Sequence, residues 1–271
     1  MRLHLGSHRD RARRDAETLL VHLLGKNRAW MLAHFDDELG YECAEKYIAM
    51  LERRFAGEPI QYILGETEFY RLPFRVTPDV LIPRPETEHV VEEVAALAQL
   101  FSGPRIVDVG TGSGAIAVAL AHELPEAVVT ATDVSAAALS VARENAARNG
   151  VVERIRFVEG DLLEPVAGEQ FDIVVSNPPY VPETERESLA VEVRDYEPGQ
   201  ALFAGAAGLD VYRRLIPQAF AALAPCGYLV LEIGHGQEPP VGALLGEAGF
   251  EEIEFAADLQ GIPRVACAQR Q

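Results

Sequence analysis

The chain has 271 residues, 48% hydrophobic and 24% charged, proportions of an ordinary globular protein with room for one large domain and one small one. Its 24 basic against 42 acidic residues leave a formal charge of −18, which disfavours a partner held mainly through phosphates. Cys43, Cys226 and Cys267 are scattered without ligand spacing and fit inert thiols in a reducing cytoplasm, the histidines are dispersed so that no metal site is expected, and the basic start Met1–Arg14 lacks the apolar core of a signal peptide. No apolar run approaches the length that spans a membrane.

Residues 1–57 read as a small helical domain. Leu19, Leu20, Leu23 and Leu24 make one apolar stripe over Ala16–Leu24, which Gly25 closes. Trp30-Met31-Leu32 and Ala44–Phe55 continue the helical pattern, and Gly57 and Pro59 stop it. The basic cluster Arg9, Arg11, Arg13 and Arg14 reads either as a solvated helix face or as a contact for an acidic partner.

Residues 58–78 change to short alternating segments around Glu68–Val76, a β-hairpin linking the two parts. In Leu81-Ile82-Pro83-Arg84-Pro85-Glu86-Thr87-Glu88 the prolines prohibit helix upstream, and Pro85 starts a helix carrying Val90, Val91, Val94 and Leu97. Arg84 and Glu86 have two readings, helix-terminal charges or a lip over a binding site.

Residues 79–271 form the large domain. Strands are expected at Arg105–Val109, Val128–Asp133, Ile155–Glu159, Phe171–Ser176, Gly227–Ile233, Glu251–Phe255 and Arg264–Ala268. Helices are expected at Ala115–His122, Ala136–Asn149, Gly208–Leu223 and Gly236–Glu247. Such alternation means an α/β fold with a mostly parallel sheet, and the short loop before the last strand makes one of the final pair antiparallel.

Two motifs lie where a parallel sheet binds ligands, beyond the strands' carboxyl ends. Gly110-Thr111-Gly112-Ser113-Gly114 is a glycine turn between strand and helix, spaced G-x-G-x-G rather than as the dinucleotide fingerprint, so hydride chemistry is the weaker reading. Asp133 ends the next strand, where a carboxylate grips an adenosine ribose. Asp161 suits an adenine amino group, while Leu162 and Ile116 flank the ring or simply fill the core.

The other motif is Asn177-Pro178-Pro179-Tyr180. Two prolines end the preceding strand and hold Asn177 extended, so an amide, two carbonyls and an aromatic ring converge. That is a rigid acceptor for a planar NH2 group. With an adenosine-bearing methyl donor alongside, Asn177 Oδ1 and the Pro178 carbonyl accept the two hydrogens of a carboxamide. They draw density onto its nitrogen and gain strength as positive charge develops there. Tyr180 is read as packing on the flat amide. The N-methylated amide cation is acidic, so no strong base is required.

Together these segments closely resemble the release-factor glutamine N5-methyltransferases, the PrmC/HemK family. The likeness rests on Gly57–Gly65, Ile82–Glu88, the glycine turn, Ser176–Tyr180 and Glu192–Pro198. The resemblance implies a class I methyltransferase domain, Rossmann-like with a seven-stranded sheet, behind a small helical domain that recognises the protein substrate. It implies S-adenosylmethionine as donor, S-adenosylhomocysteine as product, no metal, and the glutamine of the Gly-Gly-Gln loop of class I release factors as acceptor. On this pattern Gly110, Thr111, Gly112, Ser113, Gly114, Asp133, Asp161, Leu162 and Asn177 bind the donor. Asn177, Pro178, Pro179, Tyr180, Arg84 and Glu86 bind the glutamine, and Asn177, Pro178 and Tyr180 carry the chemistry. A cytoplasmic monomer without direct nucleic-acid or membrane contact is expected. Ribosomal-protein glutamine methyltransferases share Asn-Pro-Pro-Tyr but lack the Arg-Pro-Glu-Thr-Glu form of residues 84–88. An amino-directed nucleic-acid methyltransferase and a catalytically silent donor-binding protein complete the alternatives.

Overall fold

The computed structural model describes residues 2–258 and 260–271, with side chains from Asp10 onward. Two compact units emerge, Met1–Gly65 with Val191–Tyr196 and Glu66–Ala190 with Glu197–Gln271.

The first unit contains α1 (Arg2–Leu24), α2 (Arg28–Ala33), α3 (Tyr41–Phe55), α4 (Ile60–Leu64) and one later turn, α8 (Val191–Arg194). The first helix runs well upstream of Ala16, because arginine is a good helix former and Arg13 pairs with Glu17 one turn on, at 2.8 Å. Arg11 and Arg13 of the basic cluster are engaged within the unit. Arg11 meets Glu192 at 2.5 Å, while Arg54 binds both Asp15 (2.7 Å) and Glu192 (3.1 Å). Two arginines thus hold the residue that fastens the 191–196 segment to these helices, and Tyr196 OH donates to the Ala56 carbonyl at 3.0 Å. The Arg9 side chain lies outside the described residues. Helix α4 occupies the start of the stretch expected to be hairpin.

The second unit opens with that hairpin, β1 (Glu66–Phe69) and β2 (Leu72–Arg75), antiparallel. Its turn is Tyr70-Arg71, both at positive φ, a two-residue turn made without the usual Asn-Gly and secured by the Tyr70 N–H on Glu88 Oε1 (2.8 Å). Helix α5 (Glu88–Ala98) follows. Then come β3 (Arg105–Val109), α6 (Ala115–Glu123), β4 (Val128–Asp133), α7 (Ala136–Arg148), β5 (Ile155–Glu159) and β6 (Phe171–Ser176). The chain ends through α9 (Asp210–Ala222), β7 (Leu223–Glu232), α10 (Glu238–Glu247), β8 (Glu251–Ala257) and β9 (Pro263–Gln269).

The seven-stranded sheet has the order β5-β4-β3-β6-β7-β9-β8. Strands β5 to β7 are parallel, and β9 runs antiparallel to both neighbours, so the expected reversal at the end is present. Strand β3 is buried almost throughout, as a parallel strand covered on both faces must be. Ile106, Ile173 and Val175 pack under α5 and α6 on one face. Val107, Val109 and Val174 pack with Tyr212, Leu215 and Val241 from α9 and α10 on the other. Among the described residues no helix is long and apolar enough to cross a membrane. Burial pushes the Cys267 thiol up to about 12, whereas Cys226 is exposed.

Candidate active site

The chain leaves β3 towards β4 on one side and returns to β6 on the other. This reversal opens a crevice at the carboxyl ends of β3 and β6, the usual ligand position of such sheets. Asp108 pairs with Val175, so the glycine turn and Asn177 emerge side by side, and Ser176 Oγ donates to the Val109 carbonyl at 2.6 Å. A cavity of about 380 Å³ lies there.

Of the residues the sequence singles out, Arg84, Gly110, Thr111, Gly112, Ser113, Asp133, Asp161, Leu162, Asn177 and Pro179 line this cavity. Ile116 lines it as well. Gly114, Pro178, Tyr180 and Glu86 do not. Gly114 serves packing, since a Cβ there would meet Ala142 Cβ at 3.0 Å where α6 approaches α7. Gly110 and Gly112 stand at positive φ, and a Cβ on either would project into space with no atom within 4 Å. Side chains there would fill the open mouth of the turn, whose Gly110 and Thr111 N–H groups are both held by the Thr132 carbonyl at 2.9 Å.

Asp133 accepts N–H groups from Gly112 (2.8 Å, Oδ2) and Ser135 (2.9 Å, Oδ1). Burial raises its pKa and these amide donors oppose the rise. With the Val134 N–H a third backbone donor, the carboxylate keeps a lone pair for a ribose hydroxyl. Asp108, two residues before Gly110, is fully buried. Its Oδ2 accepts from Thr111 Oγ1 (2.6 Å) and Ala117 N (3.2 Å), but Oδ1 has no partner. Burial pushes this carboxyl up to about 7. An open glycine turn and a pinned carboxylate at the cavity wall fit an adenosine ligand. Leu162 lines the crevice at φ +50°, its carbonyl taking Thr132 Oγ1 at 2.9 Å. Asp161 forms an ion pair with Arg214 on α9.

Arg84 reaches the buried Glu197 at 2.6 Å. Asn177 lines the cavity and donates from Nδ2 to Thr87 Oγ1 at 3.0 Å. Thr87 Oγ1 donates in turn to Glu232 Oε2 at 2.5 Å. Tyr180 points the other way: its hydroxyl donates to Glu232 Oε1 at 3.2 Å, because the buried carboxylate on β7 requires donors. Burial beside Glu232 pushes the Tyr180 hydroxyl well above the usual phenol range. Burial also raises the Glu232 pKa, against the Thr87 and Tyr180 donors.

Thr87, Asp108, Asn145 and Glu232 escape the sequence reading. A signal exists for two of them: a carboxylate amid the apolar run before the glycine turn, and another closing Leu229-Val230-Leu231. Asn145, fully buried on α7, takes the Arg75 N–H at 2.6 Å and donates to the Arg75 and Ser113 carbonyls at 3.0 and 2.8 Å.

A reversed parallel sheet with this glycine turn and carboxylate defines a class I, S-adenosylmethionine-dependent methyltransferase. Residues 90–194 match the methyltransferase small domain and residues 2–65 the PrmC N-terminal domain. A methyltransferase from Pyrococcus furiosus shares the fold at a TM-score of 0.53 and 20% identity, over 73% of this chain and 89% of that one. Release factor glutamine methyltransferases of Koribacter versatilis and Geobacter sulfurreducens are 42% and 44% identical to it, covering 95% and 94% of this chain and 91% and 89% of theirs. The chain belongs to the release factor glutamine methyltransferase family.

Proposed function

We propose that the chain methylates the side-chain amide nitrogen of the glutamine in the Gly-Gly-Gln loop of class I peptide chain release factors. When bound, S-adenosylmethionine supplies an electrophilic methyl group on a sulfonium and leaves as S-adenosylhomocysteine. Gly110, Thr111, Gly112, Ser113, Asp133 and Leu162 hold it, with Ile116 against the ring and Asp161 offering its second oxygen to the adenine amino group. The N-terminal unit is the surface that recognises the release factor, and Arg84, with Glu86 beside it, forms the lip the glutamine passes.

The observation that carries this reading is the Asn177 carboxamide at the cavity wall, its N–H spent on Thr87 and its Oδ1 left for a donor. A glutamine amide has two hydrogens to give, one to Asn177 Oδ1 and one to the Pro178 carbonyl. Both acceptors strengthen as the nitrogen becomes positive, which stabilises the transition state more than the ground state. Pro179 bounds the amide sideways, and fixing both hydrogens aims the nitrogen lone pair. The methylated amide cation sheds its proton to water, so the scheme uses neither a strong base nor a metal. The enzyme is taken to be a cytoplasmic monomer that does not act on nucleic acid or membranes; the −18 charge supports the former.

Incubation with methyl-labelled donor and either release factor or nucleic acid, followed by mass mapping, tests the proposal. Label on the Gly-Gly-Gln glutamine is expected. Label on adenine or guanine, or on another protein residue, overturns it.

A further inference from the structure

Thr87 is the one hydrogen-bond partner of the Asn177 carboxamide among the described residues, and it is 4% exposed. Behind it stands Glu232, 2% exposed at the end of β7. A carboxylate only accepts, and a hydroxyl has a single hydrogen. With its hydrogen on Glu232 Oε2, Thr87 Oγ1 has only lone pairs to turn towards Asn177. Asn177 therefore answers with Nδ2, and Oδ1 is the atom left for the substrate. Were the amide reversed, Nδ2 would confront the glutamine N–H, donor against donor. Tyr180 OH supplies the carboxylate's other oxygen with a donor, and Tyr212 OH fixes the Glu232 backbone carbonyl at 2.8 Å.

We propose that Glu232 and Thr87 are positioning residues whose directed hydrogen bonds hold the Asn177 carboxamide in the one sense that accepts the substrate's N–H. The proposal rests on the glutamine methyltransferase reading. It also accounts for the Asn-Pro-Pro-Tyr segment as a unit. Its first residue takes its direction from the relay, and its last residue anchors the relay's far end.

The test is steady-state turnover on release factor. If the wild-type chain transfers no methyl to it, the functional reading fails and this inference with it. If the wild type is active, Thr87→Val, which keeps the shape and removes the hydroxyl, is expected to lower kcat on the order of tenfold. The calorimetric Kd for S-adenosylmethionine should stay within about twofold and the KM for release factor should change far less than kcat, because the bond to Asn177 Oδ1 strengthens mainly in the transition state. Thr87→Ser, which restores the hydroxyl, should recover most of kcat. In an Asn177→Ala background Thr87→Val should cost nothing further, since the group it directs is gone. A Thr87→Val enzyme at wild-type kcat overturns the proposal. So does a Thr87→Ser enzyme as slow as the valine variant, or a full additional loss in the Asn177→Ala background. Glu232→Met, which keeps the length and removes the acceptor for the Thr87 hydroxyl, should follow Thr87→Val; soluble Glu232→Met at wild-type kcat is equally fatal.

Discussion

Asp133 Oδ2 takes the Gly112 N–H at 2.8 Å, so the carboxylate at the end of β4 holds the glycine turn after β3. The same group is the proposed ribose acceptor. Asp133→Ala removes both roles at once. Hydrogen bonds to a charged group are worth about 1.5–3 kcal/mol each. Calorimetry should therefore report S-adenosylmethionine binding weakened roughly ten- to a hundredfold. Unchanged binding would contradict the ribose assignment.

Asn177→Ala tests the other end of the crevice. One transition-state hydrogen-bond partner removed costs about 10²- to 10³-fold in turnover in comparable sites. A fall of about 10²-fold in kcat is expected here, with donor Kd nearly unchanged, because Asn177 acts on the accepting amide. Turnover close to wild type would remove Asn177 from the mechanism.

Strands β3, β4, β5 and β6 are legible because each is a short segment rich in β-branched residues that ends at a glycine, a carboxylate or Asn177-Pro178. Observed β3, β4, β5 and β6 match the expected bounds residue for residue. The hairpin turn was not legible at Tyr70-Arg71, since neither residue carries the local signature of positive φ and a distant carboxylate, Glu88, supplies the stabilisation. The candidate site divides in the same way. Gly110–Ser113 and Asn177 announce themselves through local spacing. Thr87 and Glu232 lie 145 positions apart in sequence and matter only because α5's entry and β7's end meet behind Asn177. Tyr180 reads from sequence as a stacking ring, and only the buried charge on β7 reveals why its hydroxyl turns inward.

Asn145 ties three parts of the second unit together, because its one amide satisfies both polar groups of Arg75 and the Ser113 carbonyl. Asn145→Ala would leave the buried Ser113 carbonyl and the part-buried Arg75 N–H and carbonyl without partners. An unsatisfied buried group costs about 1–3 kcal/mol. The expected loss is about 2–4 kcal/mol of unfolding free energy, read as a lower urea midpoint. Because Ser113 lies in the glycine turn, donor affinity should weaken as well. An unchanged midpoint would show that the three groups find other partners.

Asp108 gives the protein a pH dependence of definite sign. Its carboxyl sits at about 7 in the folded chain against an ordinary 3.8, chiefly through complete burial with Oδ1 unpaired. Between those values the folded state keeps the proton and the unfolded state gives it up, so the folded state binds more protons and stability falls as pH rises. Above about 7 both states are ionised and the full penalty is present, roughly 4 kcal/mol at most. Asp108→Asn keeps an acceptor for Thr111 Oγ1 and the Ala117 N–H but cannot ionise. Thermal unfolding of the ligand-free protein from pH 4.5 to 7.5, a range of roughly that window, should show a smaller decline of Tm in the variant than in the wild type. The two curves should draw together at the acid end. Parallel curves across the whole range would mean that Asp108 is already ionised at low pH, and that its buried charge is stabilised by more than Thr111 and Ala117.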